Sequence, residues 1–322
     1  MYKIAVAGPI PRDTIITHRG EVIEKYGCVT HPVIALAKLL ENEGEVYPIS
    51  HICKEDLQPV TGVFSPYANI RTQGLYTKHD QGTIIELKFL DQNNRQEKQI
   101  AKMHTIEPDD VKPFLDADAF VFVPITNFEV RPETLEYIKS HSDSMVIFDA
   151  HGPTTLLDTN GNRHRRYWAD KDEWLPYIDV LKMNLEESVC CWFDRDYQQL
   201  GEAIFKETQL DHLEAFASYV LEKGVSVVYI TLDSRGAKVY TKNEQTLNEF
   251  HVPSVKVDHV VDTTGCGDSF AGGLAYGLTV HKDIVKAAQY ANVLGALRTQ
   301  GKTFDVFKNR DETNEILKRT YS

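Results

Sequence analysis

Positive charge is in deficit in this chain. Its 322 residues carry 35 Lys and Arg against 47 Asp and Glu, a formal net charge of −12. That balance excludes a broad basic face, so nucleic acid is not an expected partner. A phosphate can still be held locally by backbone N–H groups and a bound metal. Long apolar runs are missing too. None approaches the roughly 20 residues that span a bilayer, so no membrane association is expected. The opening Met1-Tyr2-Lys3-Ile4-Ala5-Val6-Ala7-Gly8 is too short in apolar residues for a secretory signal and reads as a strand. Cysteine is scarce: Cys28, Cys53, Cys190, Cys191 and Cys266 form an odd set without metal-ligand spacing. This suits a reducing cytoplasm, with Cys190-Cys191 as buried small apolar residues on a helix. The 12 histidines include no His-x-x-x-His pair, and a zinc site is not expected. Internal repeats and low-complexity tracts are also lacking.

What is present is an ordinary globular balance, 42% hydrophobic and 25% charged, with ample material for a core. Short β-rich runs alternate with amphipathic helical patterns, which predicts a mainly parallel sheet covered by helices. The runs are Lys3–Ala7, Ala119–Val123, Met145–Phe148, Val180–Met183 and Val225–Thr231. Helical spacing occupies His31–Glu43, Pro132–Ser140, Leu210–Glu222 and Ile284–Leu297. Thr14–Lys25 and Thr83–Ile100 break the alternation with polar, β-type patterning, and are expected as half-exposed antiparallel strands of a small separate sheet, a lid. The whole chain, 1–322, is read as one domain, with lid strands within about 12–26 and 75–102. Asp158–Asp172 is a polar insertion that opens on a turn, Asp158-Thr159-Asn160-Gly161. The basic Arg163-His164-Arg165-Arg166 reads as a solvated loop or a contact for an anionic ligand.

The most informative stretch is Asp262-Thr263-Thr264-Gly265-Cys266-Gly267-Asp268-Ser269-Phe270-Ala271-Gly272-Gly273. A β-type run, Val255–Val261, precedes it and a small-residue helix is expected after it. Two glycines let the backbone turn tightly against a ligand. The N–H groups at the helix start then form a cradle for a phosphate or an oxyanion. Asp268, in the first turn, is placed either to cap the helix or to accept a hydroxyl proton during phosphoryl transfer.

This string resembles the C-terminal signature of the ribokinase-like sugar kinases, the phosphofructokinase B family. The resemblance implies an α/β fold with a doubly wound, mainly parallel sheet flanked by helices and a small β lid. It implies an ATP- and Mg2+-dependent kinase with Asp268 as catalytic base and Gly265, Cys266 and Gly267 as a backbone anion hole. Asn184-Leu185-Glu186-Glu187 resembles the family's Asn-x-x-Glu motif, in which Asn184 and Glu187 organise Mg2+, its waters and the phosphates. A helix start with first-turn acids explains the same four residues. Thr231-Leu232-Asp233-Ser234-Arg235-Gly236 resembles a Thr-x-Gly-x-x-Gly turn beside ATP, with Asp233 in place of a glycine. Asn292 matches a position near the adenine, or is a solvated helix residue. Asp262 and the segment after Leu297 match regions that form a monovalent-cation site, such as one for K+, in several members. In the N-terminal half, Gly8-Pro9-Ile10-Pro11-Arg12-Asp13 resembles a turn whose Asp binds substrate hydroxyls, which makes Asp13 a substrate ligand or a turn cap. Tyr26-Gly27-Cys28-Val29-Thr30-His31 stands where a Gly-Gly-x-x-x-Asn signature contacts the sugar. Gly27 and His31 are the residues carried over, with Tyr26 and His31 departing from the pattern.

The acceptor is therefore expected to be a sugar-like alcohol, with a nucleoside or a non-catalytic sensor as rival readings. A homodimer through the lid edge is a further expectation. Gly301-Lys302-Thr303 is not a P-loop, since five residues separate Gly295 from Gly301 and a helix precedes it. A dinucleotide-binding turn is excluded by Gly8-Pro9-Ile10-Pro11 after the first strand.

Overall fold

The computed structural model describes residues 1–16, 20–89, 95–201, 204–243 and 246–322. Positions 17–19 and 90–94, inside the two stretches expected as lid strands, lie outside the described residues. The strands are β1 (Tyr2–Ala7), β2 (Arg12–Ile16), β3 (Val22–Tyr26), β4 (Gly44–His51), β5 (Leu75–Tyr76), β6 (Ile84–Phe89), β7 (Arg95–Ala101), β8 (Ala119–Phe122), β9 (Met145–Asp149), β10 (Thr155–Leu157), β11 (Arg163–Arg165), β12 (Val180–Asn184), β13 (Val227–Thr231), β14 (Ala237–Asn243) and β15 (Thr246–Val252). Nine form one sheet in the order β15-β14-β13-β12-β9-β8-β1-β4-β5. Neighbours from β13 to β5 run parallel, and β13-β14-β15 is an antiparallel extension.

Apolar residues fill both faces. Ile4, Val6, Val121 and Val123 pack on one side with the helices Thr30–Leu40, Cys266–Tyr276 and Ile284–Arg298. Ala5, Ala7, Phe120 and Phe122 pack on the other with Pro132–His141 and Leu213–Glu222. Burial on both sides explains why these strands read as continuous apolar runs rather than alternating ones. The helices Cys266–Tyr276 and Ile284–Arg298 lie very close: a Cβ at Gly273 would stand 2.4 Å from Ala291 Cα. The strand order reverses about β1, and it is at the carboxyl ends of the strands beside such a reversal that sheets of this kind hold their ligands.

The small sheet is β3-β2-β6-β7. It is not wholly antiparallel, since β2 and β6 run parallel. One further expectation fails. Val255–Val261 is not a strand. Val260 and Val261 are exposed, and Pro253, which has no N–H to continue a ladder, ends the preceding pairing. The turn expected at Asp158 is present, and β10 and β11 form a hairpin around it. Cys190 and Cys191 lie fully buried on the helix Leu185–Trp192, as expected.

Candidate active site

Gly265 initiates the helix Cys266–Tyr276 in the left-handed region, at φ 80°. Glycine is required there twice over, because a Cβ would also stand 2.3 Å from His31 Cδ2. The first helical N–H groups have no intrahelical acceptors. That of Cys266 turns back to Thr263 O at 3.2 Å, so Gly267 and Asp268 are the residues whose amides open the helix. Asp268 is half-buried in the first turn, with Cys28 Sγ 3.8 Å from its Oδ1. Burial and the nearby Asp149 push its carboxyl up to about 6, against the opposing pull of Lys182 and His151.

Beneath it lies a set of buried charges. Lys182 on β12 and Asp149 at the end of β9 face each other across the sheet register, with Nζ and Oδ2 2.6 Å apart. Burial alone would lower the Lys182 pKa, but Asp149 and Glu187 raise it, so the ammonium persists. A Cβ at Gly267 would stand 3.0 Å from Lys182 Nζ, which sets this cation beside the helix start. Asn184 caps the helix Leu185–Trp192 through a reciprocal box: Glu187 N donates to Asn184 Oδ1 and Asn184 N donates to Glu187 Oε2, both at 2.7 Å. Glu187 Oε1 meets His151 Nδ1 at 2.7 Å and Arg165 Nη2 at 3.6 Å. Burial would raise the Glu187 pKa, yet the hydrogen bond from His151 and the charges of Arg165 and Lys182 hold it well below the usual carboxylate range.

Thr231 pairs with Asn184 across β13 and β12. The turn after it closes with Gly236 at φ 95°, pressed against Val252 O. Asp233, standing where a glycine was expected, keeps the left-handed backbone at φ 52°, a conformation Asp tolerates better than most residues. Asn292 is buried, and its Nδ2 donates to Val252 O and Pro253 O at 3.2 and 3.0 Å. It is not a solvated residue; it holds the end of β15 against the turn at Gly236.

Asp13, Gly27 and His31 converge near the turn at Gly265. A Cβ at Gly27 would stand 3.3 Å from Asp13 Oδ2 and 4.0 Å from His31 Nε2. Tyr26 donates its hydroxyl to Asp56 at 2.8 Å, and Arg12 reaches the same carboxylate at 3.0 Å. These contacts tie the base of the small sheet to the core. His31 is buried and accepts at Nδ1 from Arg298 Nε at 3.1 Å; burial and Arg298 push its pKa down to about 3.

The basic patch is not a solvated loop. Arg165 is only 17% exposed and pairs with Glu186 and Glu187. Arg163 pairs with Glu97 on β7, so the hairpin braces the small sheet, helped by Gln99 N donating to Gly161 O at 2.8 Å. With His151 and Tyr197, these arginines line a cavity of about 360 Å³.

Over residues 67–304 the chain matches the model of the pfkB family carbohydrate kinases. It belongs to that family. Among curated proteins it is 28% identical over 206 residues to the aminoimidazole riboside kinase of Salmonella typhimurium, an alignment covering 61% of this chain and 57% of that protein. The chain thus spans a little over half the length of that relative. Its fold is shared with the ribokinase of Arabidopsis thaliana complexed with ribose and ATP, at TM-score 0.74, 15% identity and 99% coverage of both chains. It is shared equally with a pyrophosphate-dependent kinase of the ribokinase family, at TM-score 0.74 and 18% identity, covering 97% of this chain and 99% of the other.

Lys182, Asp149, His151, Cys28 and Arg298 join the site without having been singled out in the sequence. Only Lys182 carried a legible signal, as a lysine inside an apolar strand whose neighbours are all buried.

Glu129, on the segment after β8, is fully buried and accepts from the Ile125 and Thr126 amides. Burial pushes its pKa up from 4.5 to about 8. Because the folded value is the higher, the folded state holds the proton more tightly, and stability should fall as pH rises from about 5 to about 8. Glu129→Gln is expected to abolish that slope and to gain on the order of 2–4 kcal/mol at alkaline pH. Urea unfolding across that range checks it; an unchanged slope would assign the pH dependence to other groups.

Proposed function

We propose that this chain is an ATP-dependent kinase that transfers a phosphoryl group to a hydroxyl of a small sugar-like alcohol, a nucleoside being the alternative acceptor. The observation that carries the reading is the placement of Asp268. Its carboxylate sits in the first turn of a helix, next to the Lys182 ammonium, and its pKa of about 6 suits a base at neutral pH. Asp13 and His31 bind the acceptor at the other wall of the cleft, where two carboxylate oxygens of Asp13 suit a vicinal diol. Asp268 takes the hydroxyl proton as that oxygen attacks the terminal phosphorus, and the bond to the departing diphosphate breaks. Gly265, Cys266 and Gly267 form the anion-hole turn, with the Gly267 amide and Lys182 meeting the developing charge. Thr231, Gly236 and Asn292 border the nucleotide. The chain 1–322 acts as one catalytic unit, and the small sheet is its lid, which limits hydrolysis by excluding water. Val22 and Ile23, exposed on edge strand β3, support lid pairing in a homodimer.

Mg2+ belongs to this reading as an ion that arrives hydrated on the phosphates. No preassembled cage of three or more metal-binding side chains exists among the described residues. Glu187 already accepts from His151 and Asn184, so it would act on the water shell of the ion. The ion supplies neutralisation of phosphate charge. No helix among the described residues is long and apolar enough to cross a membrane.

A donor-consumption screen tests the proposal. ATP and pyrophosphate are each offered with ketoses, aldoses, polyols, sugar phosphates and nucleosides. ATP use stimulated by one acceptor class is expected. Pyrophosphate use alone would replace the donor, and silence across all acceptors would favour a sensor.

A further inference from the structure

The region for which the family resemblance implied a monovalent-cation site holds a buried guanidinium. Arg298 ends the helix Ile284–Arg298 and is 3% exposed. Its three nitrogens are all engaged. Nη2 meets Asp262 Oδ2 at 3.1 Å, Nη1 donates to Gly301 O at 2.5 Å, and Nε donates to His31 Nδ1 at 3.1 Å. Asp262 Oδ1 in turn accepts from Thr264 N at 2.9 Å, and Val261 N donates to Thr299 O at 2.7 Å. The segment leading into the Gly265 turn is thereby laced to the end of this helix.

We infer that Arg298 is a tethered replacement for a monovalent cation, and that it positions both the Gly265 turn, through Asp262, and His31, as a hydrogen-bond donor to the acceptor. The charge argument is direct. A second cation would have to compete for the carboxylate and the carbonyl with a unit charge already fixed between them, and would be repelled by it. The tautomer argument is equally so. A guanidinium nitrogen can only donate, so His31 Nδ1 must accept, and the ring proton lies on Nε2. That nitrogen lies between the two glycine turns, 2.4 Å from a Cβ at Gly265 and 4.0 Å from one at Gly27. Where the family resemblance puts an Asn, this chain presents an N–H of fixed direction beside Asp13. Arg298 touches neither substrate in this scheme; it is a positioning residue.

The kinetic part of this inference rests on the proposed kinase reading, so the test includes measurements that do not. For the wild-type chain, the melting temperature in tetramethylammonium chloride should equal that in KCl at matched ionic strength, because no K+ is bound to stabilise the fold. A K+-specific rise would overturn the inference even if no acceptor is ever found. Nitrogen-15 spectra of the histidine rings at neutral pH should show His31 as the Nε2–H tautomer, with a mixture appearing in Arg298→Lys; an Nδ1–H signal in the wild type would overturn it. With an acceptor in hand, exchanging tetramethylammonium for K+ should change kcat/KM by less than about twofold, an ordinary salt effect. Arg298→Ala should lose about 10²-fold in kcat/KM, the scale of a misplaced reacting geometry, and regain part of it with K+ or guanidinium. K+ activation of the wild type, or Arg298→Ala turning over normally without added cation, would each refute it.

Discussion

Asp268→Asn is expected to lower turnover by roughly 10²–10⁴-fold, the range for losing a general base, while leaving the fold intact. Asparagine keeps the shape of the side chain and its place in the first turn, but cannot take the hydroxyl proton. Because burial and Asp149 lift the Asp268 pKa to about 6, the wild-type rate should fall on the acid side as the carboxylate is protonated below that value. The Asn variant should lack this limb. Its melting temperature should equal or exceed that of the wild type, since a carboxylate whose folded pKa is raised is costly to keep ionised at neutral pH. Steady-state rates against pH, with thermal melts of the same protein, decide the matter. Near-normal turnover would remove Asp268 from the role of base.

Lys182→Met is the second large effect. Lys182 and Asp149 are 5% and 4% exposed at 2.6 Å separation. Removing the ammonium strands a carboxylate in the sheet, so a loss of about 3–5 kcal/mol is expected. The double variant Lys182→Met with Asp149→Asn should recover most of that stability, because no unpaired charge is then left inside. It should not recover turnover, because the cation beside Gly267 is gone. Denaturant unfolding and kinetics on the three proteins separate the two roles. A double variant with wild-type turnover would make the pair purely structural.

The main sheet was largely legible because its strands are covered on both faces and therefore apolar throughout. β4 was not, since Pro48 interrupts its pattern. It is accommodated because β5 pairs with β4 only at Ser50 and His51. The antiparallel β14–β15 pair was also missed. Val255–Val261 failed for the opposite reason: β-branched residues suggested a strand, but exposure and Pro253 leave it none to pair with. The arginine cluster misled through its composition. Charge density alone says solvent, whereas the acids that bury Arg165 and pair with Arg163 come from the helix Leu185–Trp192 and from the small sheet.

By itself the sequence determined the layered α/β architecture and the place of Asp268, because hydrophobic periodicity and a glycine-bounded helix start are local properties of a chain. It also determined that Asn184 and Glu187 would share one helical turn, since three residues of separation form a capping box. Only the tertiary structure decided which charges meet. Asp149 and Lys182 are 33 residues apart, and His31 and Arg298 are 267 apart. Each pair is brought together by strand register or helix packing that no local pattern encodes. Burial then changes what those groups can do. The same carboxylate that would be an ordinary acid in water has, at Asp268, a pKa raised to about 6, because burial and its neighbours and not its own sequence position set that value.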